Sequence, residues 1–332
     1  MATDYNVEYG GRYVDPIVQS VKWSGDIPLP YRTLIVTLSN TINGKTQAVT
    51  FELGKEIRFH VSGAEVFRGV IFSTTIDHSG RMSITAYDEN VYLTKNSDTR
   101  KFTKMTATAI AKQLCQAFDI SAGTFAASGY VIPKLTLRNM TLWDMLVTAF
   151  TVTHKQNGKR MYVYSRKGKF HMAERKDVAV RWILENGVNI TGASRTQSIE
   201  ETRTVVKVTG GDKDKPLTAT VKNDSAVKLY GTMQHTETAD SDSNQSQINQ
   251  LAAQKLKELS KPNEESTVTA LGLVDVVTGS SVYVLEDMTK LIGGFYVTAD
   301  THTFENGTHL MDVRISKTDD LPQLDYVEVT ED

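Results

Sequence analysis

Slid 225 positions along itself, the chain meets its own pattern. Val49 falls on Val274, Phe51 on Val276, Gly54 on Gly279, Ile57 on Val282 and Phe59 on Val284. Val66, Phe67, Gly69, Val70, Ile71 and Phe72 then meet Leu291, Ile292, Gly294, Phe295, Tyr296 and Val297, with no gap over 24 positions. Met82, Ile84 and Ala86 match Met311, Val313 and Ile315 at a shift of 229, which makes the intervening hairpin four residues longer in the second copy. Alternating apolar positions coincide easily between strand-rich stretches. Glycine is a stronger marker, because it weakens a strand and signals a bulge, a bend or a close backbone approach. Gly54 and Gly69 are 15 residues apart, and so are Gly279 and Gly294. With these four as structural repeat glycines, the spacing predicts two copies of one β domain.

Composition agrees with a strand-rich fold. Of 332 residues, 40 Thr, 32 Val and 17 Ile are β-branched, and such side chains fit a pleated surface better than a helix. Strands are expected at Tyr31–Leu38, Gln47–Leu53, Ile57–Val61, Val66–Ile76 and Met82–Tyr87, with hairpin turns at Asn43-Gly44 and Ser79-Gly80. Turn signals every 8–12 residues are the spacing of a small barrel or sandwich.

The period changes after Arg100. Thr103 or Thr106 can cap a helix over about 107–118, with Ile110, Leu114 and Phe118 on one face. Thr141-Leu-Trp-Asp144 is a capping-box variant opening a second helix. Lys159–Ser165 and Lys169–Ala173 read as a hairpin. Strands return at Thr202–Thr209 and Leu217–Val221, and a helix follows over about 243–259, with caps offered by Asp240-Ser-Asp-Ser243. After Thr318 come six acids and no Lys or Arg, which reads as a solvated tail. The expected fold is mainly β with an α+β insertion, two related tube-type β-barrel domains flanking a small α+β domain. Its segments are 1–98 (first barrel), 99–190 (α+β), 191–318 (second barrel with the inserted helix) and 319–332 (acidic tail).

A search for chemistry ends mostly in exclusions. With 37 Lys+Arg against 39 Asp+Glu, no broad basic surface is available to neutralise phosphates. One cysteine excludes a disulfide framework and thiolate metal clusters. The first twenty residues lack a signal-peptide pattern, and no apolar run approaches the ~18 residues that span a bilayer. None of the seven histidines has HExxH spacing. His302 and His309 flank a turn at Asn306-Gly307 and could face one another, but read better as exposed strand residues. Asp240-Ser-Asp242-Ser-Asn244 starts like a calcium loop, then has Gln245 where glycine is needed and Leu251 where glutamate is needed. Gly210-Gly211-Asp-Lys213 lacks the phosphate-loop motif and reads as a turn. Cys115 lies among core positions of a helix, and Arg166, Lys167 and Lys169 with Tyr162, Tyr164 and Phe170 read as a solvated hairpin. The sequence thus offers no catalytic residue, no metal ligand set and no cofactor site.

What the sequence resembles lies in the succession of its segments. In order these are Ile84-Thr-Ala-Tyr-Asp88 through Leu93, Thr106-Ala-Thr-Ala-Ile110 through Cys115, and Thr141-Leu-Trp-Asp-Met-Leu146. Met161-Tyr-Val-Tyr-Ser165 with Lys169-Phe170, Val208-Thr-Gly-Gly211, Tyr230-Gly231 and Gly293-Gly294-Phe-Tyr-Val297 with His302 follow. Over roughly residues 30–318 the chain resembles the XkdQ/YqbQ family of PBSX-like prophages, contractile phage tails and R-type bacteriocins such as the diffocins. That resemblance implies a non-enzymatic baseplate hub, similar to the hub of T-even phages and the upper part of VgrG spikes. It implies a homotrimer forming a pseudo-hexameric ring between a six-fold tail tube and a three-fold central spike. Its expected partners are the tube protein, the spike protein and other baseplate proteins, without nucleic-acid sequence recognition or membrane insertion. Assembly is expected in the bacterial cytoplasm, with the product part of the tail particle. Unlike VgrG, the chain shows no needle-like β-helix after the second barrel. Two other readings stay open, a tail-associated peptidoglycan hydrolase and a carbohydrate- or receptor-binding module, although three Trp make a poor sugar-stacking platform.

Overall fold

In the computed structural model, which describes residues 4–176, 180–211, 216–239 and 243–326, strands dominate. The chain divides into two compact units, Met1–Ala193 with Thr267–Asp332, and Ser194–Ser266.

The first unit begins with β1 (Tyr5–Tyr9), β2 (Arg12–Tyr13), β3 (Val18–Asp26), β4 (Thr33–Ser39), β5 (Glu56–Val61), β6 (Ala64–Ile76) and β7 (Arg81–Asp88). Alternation sends Leu34, Val36 and Leu38 of β4 and Ile57, Phe59 and Val61 of β5 into one core. The expected Asn43-Gly44 hairpin does not form. The Asn43 side chain accepts the N–H groups of Lys45 (3.0 Å) and Thr46 (3.0 Å), which holds a local turn, and Gln47–Leu53 is loop.

A short helix, α1 (Tyr92–Lys95), leads to β8 (Ser97–Thr106), α2 (Ala107–Ala117), β9 (Ala122–Phe125), β10 (Val131–Thr141), α3 (Leu142–Asn157), β11 (Met161–Arg166) and β12 (Lys169–Glu174). Local chemistry sets both longer helices. The Thr106 hydroxyl accepts Ala109 N–H (3.1 Å), and Thr141 accepts Asp144 N–H (3.0 Å) while donating to the Asp144 carboxylate (2.7 Å). Ile110, Leu114, Leu146 and Phe170 meet in a separate core.

β13 (Trp182–Glu185) and β14 (Ile190–Ser198) follow. The second unit holds β15 (Val205–Gly210), β16 (Leu217–Lys222), α4 (Asp224–Tyr230), β17 (Gln234–Thr238) and α5 (Gln245–Leu259). Its sheet runs β16-β15-β17, and Ile248 and Ala252 of α5 pack on Val206, Val208 and Ala219. The expectation was a lone helix within a barrel, but Thr202–Thr209 and Leu217–Val221 belong to this self-contained α+β insertion. Helix α5 is opened by a capping box between Asn244 and Gln247; the expected caps Asp240–Asp242 lie outside the described residues.

β18 (Asn263–Leu271), β19 (Ser281–Glu286), β20 (Leu291–Glu305) and β21 (Thr308–Ser316) complete a 13-stranded sheet. Its main path is β14-β18-β21-β20-β3-β4-β7-β6-β5-β1-β2, with β19 between β20 and β13.

The first part of the acidic tail is not a solvated segment. Asp319 is buried against Arg175 (2.7 Å) and Arg160 (3.1 Å). Leu324 N–H donates to Thr151 (3.0 Å), and the Tyr326 hydroxyl accepts Thr136 N–H (3.2 Å). Glu328, Glu331 and Asp332 lie outside the described residues.

Candidate functional site: the seam between two repeats

The repeat is visible in hydrogen bonds. Gly54 (φ +80°) donates to Ile71 O at 2.9 Å, and Gly279 (φ +90°) donates to Val297 O at 2.9 Å. Ile71 N–H returns to Lys55 O, and Val297 N–H to Ser280 O, both at 2.9 Å. Each copy then bulges at the same place, between Ile71 and Ser73 on β6 and between Val297 and Ala299 on β20. Strand order also repeats. The path β3-β4-β7-β6-β5 is matched by β14-β18-β21-β20-β19.

These bonds correct one equivalence. Ile71 corresponds to Val297, a shift of 226, so Gly69 corresponds to Phe295 and not to Gly294. The first copy closes β5 to β6 with Ser62-Gly63 and carries a bulge between Phe59 and His60; the second closes through the four-residue loop 287–290. A one-residue slip results, and it reverses which side chains face inward. Environments follow. A β-carbon on Gly69 would lie 2.3 Å from Tyr87 O, whereas one on Gly294 meets nothing within 4 Å. Gly54 and Gly279 share a positive φ and the same turn hydrogen bond.

Strand β20 joins the copies. Its first half pairs with β19, and Ala299–Glu305 pairs antiparallel with Asp26–Ser20 of β3. Beneath this seam Asp300 and His302 face inward where apolar residues are the norm, and both are fully desolvated. The Asp300 carboxylate accepts Arg32 Nη1 (2.9 Å), a second bond from Arg32 Nη2, Thr278 N–H (2.6 Å) and the Thr278 hydroxyl (2.7 Å). Burial opposes ionisation there, but the Arg32 guanidinium outweighs it and holds the carboxyl below its ordinary value. Arg32 also lies 3.9 Å from the Trp23 ring centroid, and Trp23 packs on His302.

His302 Nε2 donates to Val276 O (3.0 Å), which leaves Nδ1 to accept from His309 Nε2 (2.9 Å). Burial disfavours the protonated form of both rings. Desolvation lowers both histidines, His309 to about 4, where repulsion between the two protonated forms adds to it. The two histidines do meet, as their spacing allowed, but they are buried, not exposed strand residues.

Sequence reasoning missed Arg32, Asp300 and Trp23. The available signal was parity, since Asp300 and His302 occupy alternate positions ending at Phe304 on a strand whose inward face is otherwise apolar.

The charged groups of the seam are paired with one another. A cleft of about 430 Å³ opens beside it, lined in part by Trp23, Trp143 and Tyr162, but its two guanidiniums are already committed, Arg32 to Asp300 and Arg175 to Asp319. Among the described residues no group of three or more His, Cys, Asp or Glu is placed to hold a metal ion, and no helix is long and apolar enough to cross a membrane. Cys115 is buried, and desolvation pushes its thiol up to about 12. Arg166 and Lys167 end an exposed hairpin, while Phe170 points into the core. Gly211 makes a turn at φ +80°; Asp212 and Lys213 lie outside the described residues.

Comparison with known proteins places the chain. The model of a family described as YQBQ-like matches residues 21–316. The phage-like element PBSX protein XkdQ of Bacillus subtilis (strain 168) is 30% identical over 313 residues, 94% of this chain and 96% of that protein. The uncharacterized protein YqbQ of the same organism is 33% identical over 273 residues, 81% of this chain and 83% of that protein. Among solved structures, the 43 kDa tail protein of prophage MuSo2 from Shewanella oneidensis shares the fold. Its TM-score is 0.72 at 12% identity, covering 94% of this chain and 98% of that one.

Proposed function

This chain belongs to the YQBQ-like family, and on that premise we propose that it is a structural baseplate hub of a contractile tail or tailocin. Three copies close into a pseudo-hexameric ring that adapts a six-fold tail tube to a three-fold spike. The observation that carries this reading is the duplication itself. Two β repeats share strand order, bulge position and turn hydrogen bonds, and they are joined edge to edge by β20 and β3. A duplicated surface lets three chains present six near-equal faces, the requirement of a closed ring meeting a six-fold partner. The fold shared with a prophage tail protein and the relationship to a protein of a phage-like element support the same setting.

Mass photometry of the chain, alone and with tail tube or spike protein, tests the proposal. The expected particle is three times 36.8 kDa, alone or beside a partner. A strict monomer that joins neither protein sinks the hub. Zymography on peptidoglycan tests the rival class. A lysis band lost on replacing one carboxylate would make the chain a hydrolase.

A further inference from the structure

Two of the three tryptophans, Trp23 and Trp143, line the cleft of about 430 Å³ beside the seam, together with Tyr31, Tyr162 and Tyr164. That volume lies within the range of ligand-binding clefts. Leu29, Pro30, Leu321 and Pro322 add apolar wall. Each charged group that lines it already has a partner. Arg32 is paired with Asp300, Arg175 with Asp319 (2.7 Å) and Asp26 with Arg314 (3.8 Å), while Asp88 accepts the N–H groups of Arg32 (2.9 Å) and Asn90 (3.0 Å). A charged ligand finds no free counter-charge among them.

What is left over is hydrogen-bond donors. Among the described residues, eight buried side-chain polar atoms have no hydrogen-bond partner within the chain, and four belong to residues that line this cleft: Trp23 Nε1, Arg32 Nε, Ser165 Oγ and Ser280 Oγ. Two of the four are N–H groups that can only donate, two are hydroxyls, and none is a carboxylate or carbonyl oxygen. A buried donor without an acceptor is unfavourable and uncommon in folded chains. Such a wall fits a ligand rich in acceptors and poor in donors.

Trp143 shows the same donor with its acceptor in place. Its Nε1 donates to Pro28 O at 3.0 Å, within the stretch Ile27-Pro28-Leu29-Pro30 that borders the cleft. Proline supplies a carbonyl and no N–H, and an extended polyproline II segment keeps its carbonyls free of internal hydrogen bonds. Aromatic-lined grooves recognise such segments.

We propose that the cleft binds an extended, uncharged, proline-rich segment of a partner protein. Its carbonyl oxygens accept the Trp23 indole N–H and the Ser165 and Ser280 hydroxyls, and its rings and apolar side chains lie against the aromatic walls. The site needs one chain only and is independent of the ring reading.

The probe is acetyl-Ile-Pro-Leu-Pro-amide, which copies residues 27–30, added to the full-length chain isotope-labelled at tryptophan. Each tryptophan gives one indole N–H resonance, and Trp23→Phe assigns the one that disappears. The Trp23 resonance is expected to move to lower field and saturate as peptide is added, with the Trp143 resonance moving less. Ser165→Ala and Ser280→Ala remove hydroxyls that bond to nothing within the chain, so the melting temperature is expected to stay the same or rise. Peptide affinity is expected to fall roughly 2–12-fold in each, the worth of one neutral hydrogen bond. A loss of affinity without a loss of stability separates a binding role from a structural one. A Trp23 resonance that stays in place up to about 1 mM peptide overturns the proposal, and so does unaltered affinity in both serine variants. Equal binding of acetyl-Ile-Glu-Leu-Glu-amide overturns it too, because neither charge nor free N–H groups would then matter. A response to chitotriose alone would make this a sugar site and not a peptide site.

Discussion

Tyr87 O lies 2.3 Å from the point where a β-carbon on Gly69 would sit, with the Phe67 ring at 2.6 Å. Backbone cannot yield there as a flexible side-chain tip could. Gly69→Ala is expected to cost on the order of 3 kcal/mol by overpacking, while Gly294→Ala stays within about 0.5 kcal/mol, both read from urea unfolding. Equal costs would restore the equivalence that linear spacing suggested. The histidine pair makes a second prediction at this scale. Folding holds His309 neutral down to about pH 4, whereas the unfolded chain binds a proton near its ordinary 6.5. Between these values the unfolded state carries more protons, so stability is full above about 6.5 and falls as pH drops toward 4. Asp88 acts oppositely, since burial raises its carboxyl from 3.8 to about 7 and the stability it adds at low pH is lost as pH rises through that window. The difference between wild type and His309→Gln isolates the histidine. The variant's melting temperature is expected to fall less between pH 6.5 and 4, and parallel profiles would show that His309 is not the group responsible.

Segments whose structure is decided by neighbours in sequence were the legible ones. Thr106 and Thr141 announce their helices because a hydroxyl reaches an N–H three residues on, and the β11–β12 hairpin needs only its own turn. The way 40–55 is tied to Tyr9 and Gly80, and the path of 319–326, were not legible, because each is fixed by partners far along the chain. Asp319 reads as one acid among six until Arg175, 144 positions earlier, is brought against it. This pair makes the element-scale prediction. Both side chains are about 5% exposed, so Asp319→Ala strands a buried guanidinium and is expected to cost about 3–5 kcal/mol. Arg175→Met combined with Asp319→Leu removes both charges and is expected to recover much of that loss in chemical denaturation. If Asp319→Ala costs nothing measurable, the segment is not held by this contact and the solvated-tail reading returns.

Across the whole molecule the sheet path sets a dimension for the proposed ring. Eight strands of each chain, β14, β18, β21, β20, β3, β4, β7 and β6, lie in one continuous path. Three chains joined β6 to β14 would close twenty-four strands into a single wall. At about 4.8 Å between neighbours the circumference is roughly 115 Å, a diameter of about 37 Å for upright strands. A tilt near 40° widens it to roughly 48 Å. The near balance of 37 basic and 39 acidic residues suits such an assembly, whose contacts are with other protein surfaces and not with a polyanion. A map of the assembled particle at a resolution that separates sheets is expected to show one unbroken β wall around an axial opening in that size range. Six small closed barrels with gaps between chains would mean that β6 and β14 remain open edges. In that case the repeats meet through side chains alone.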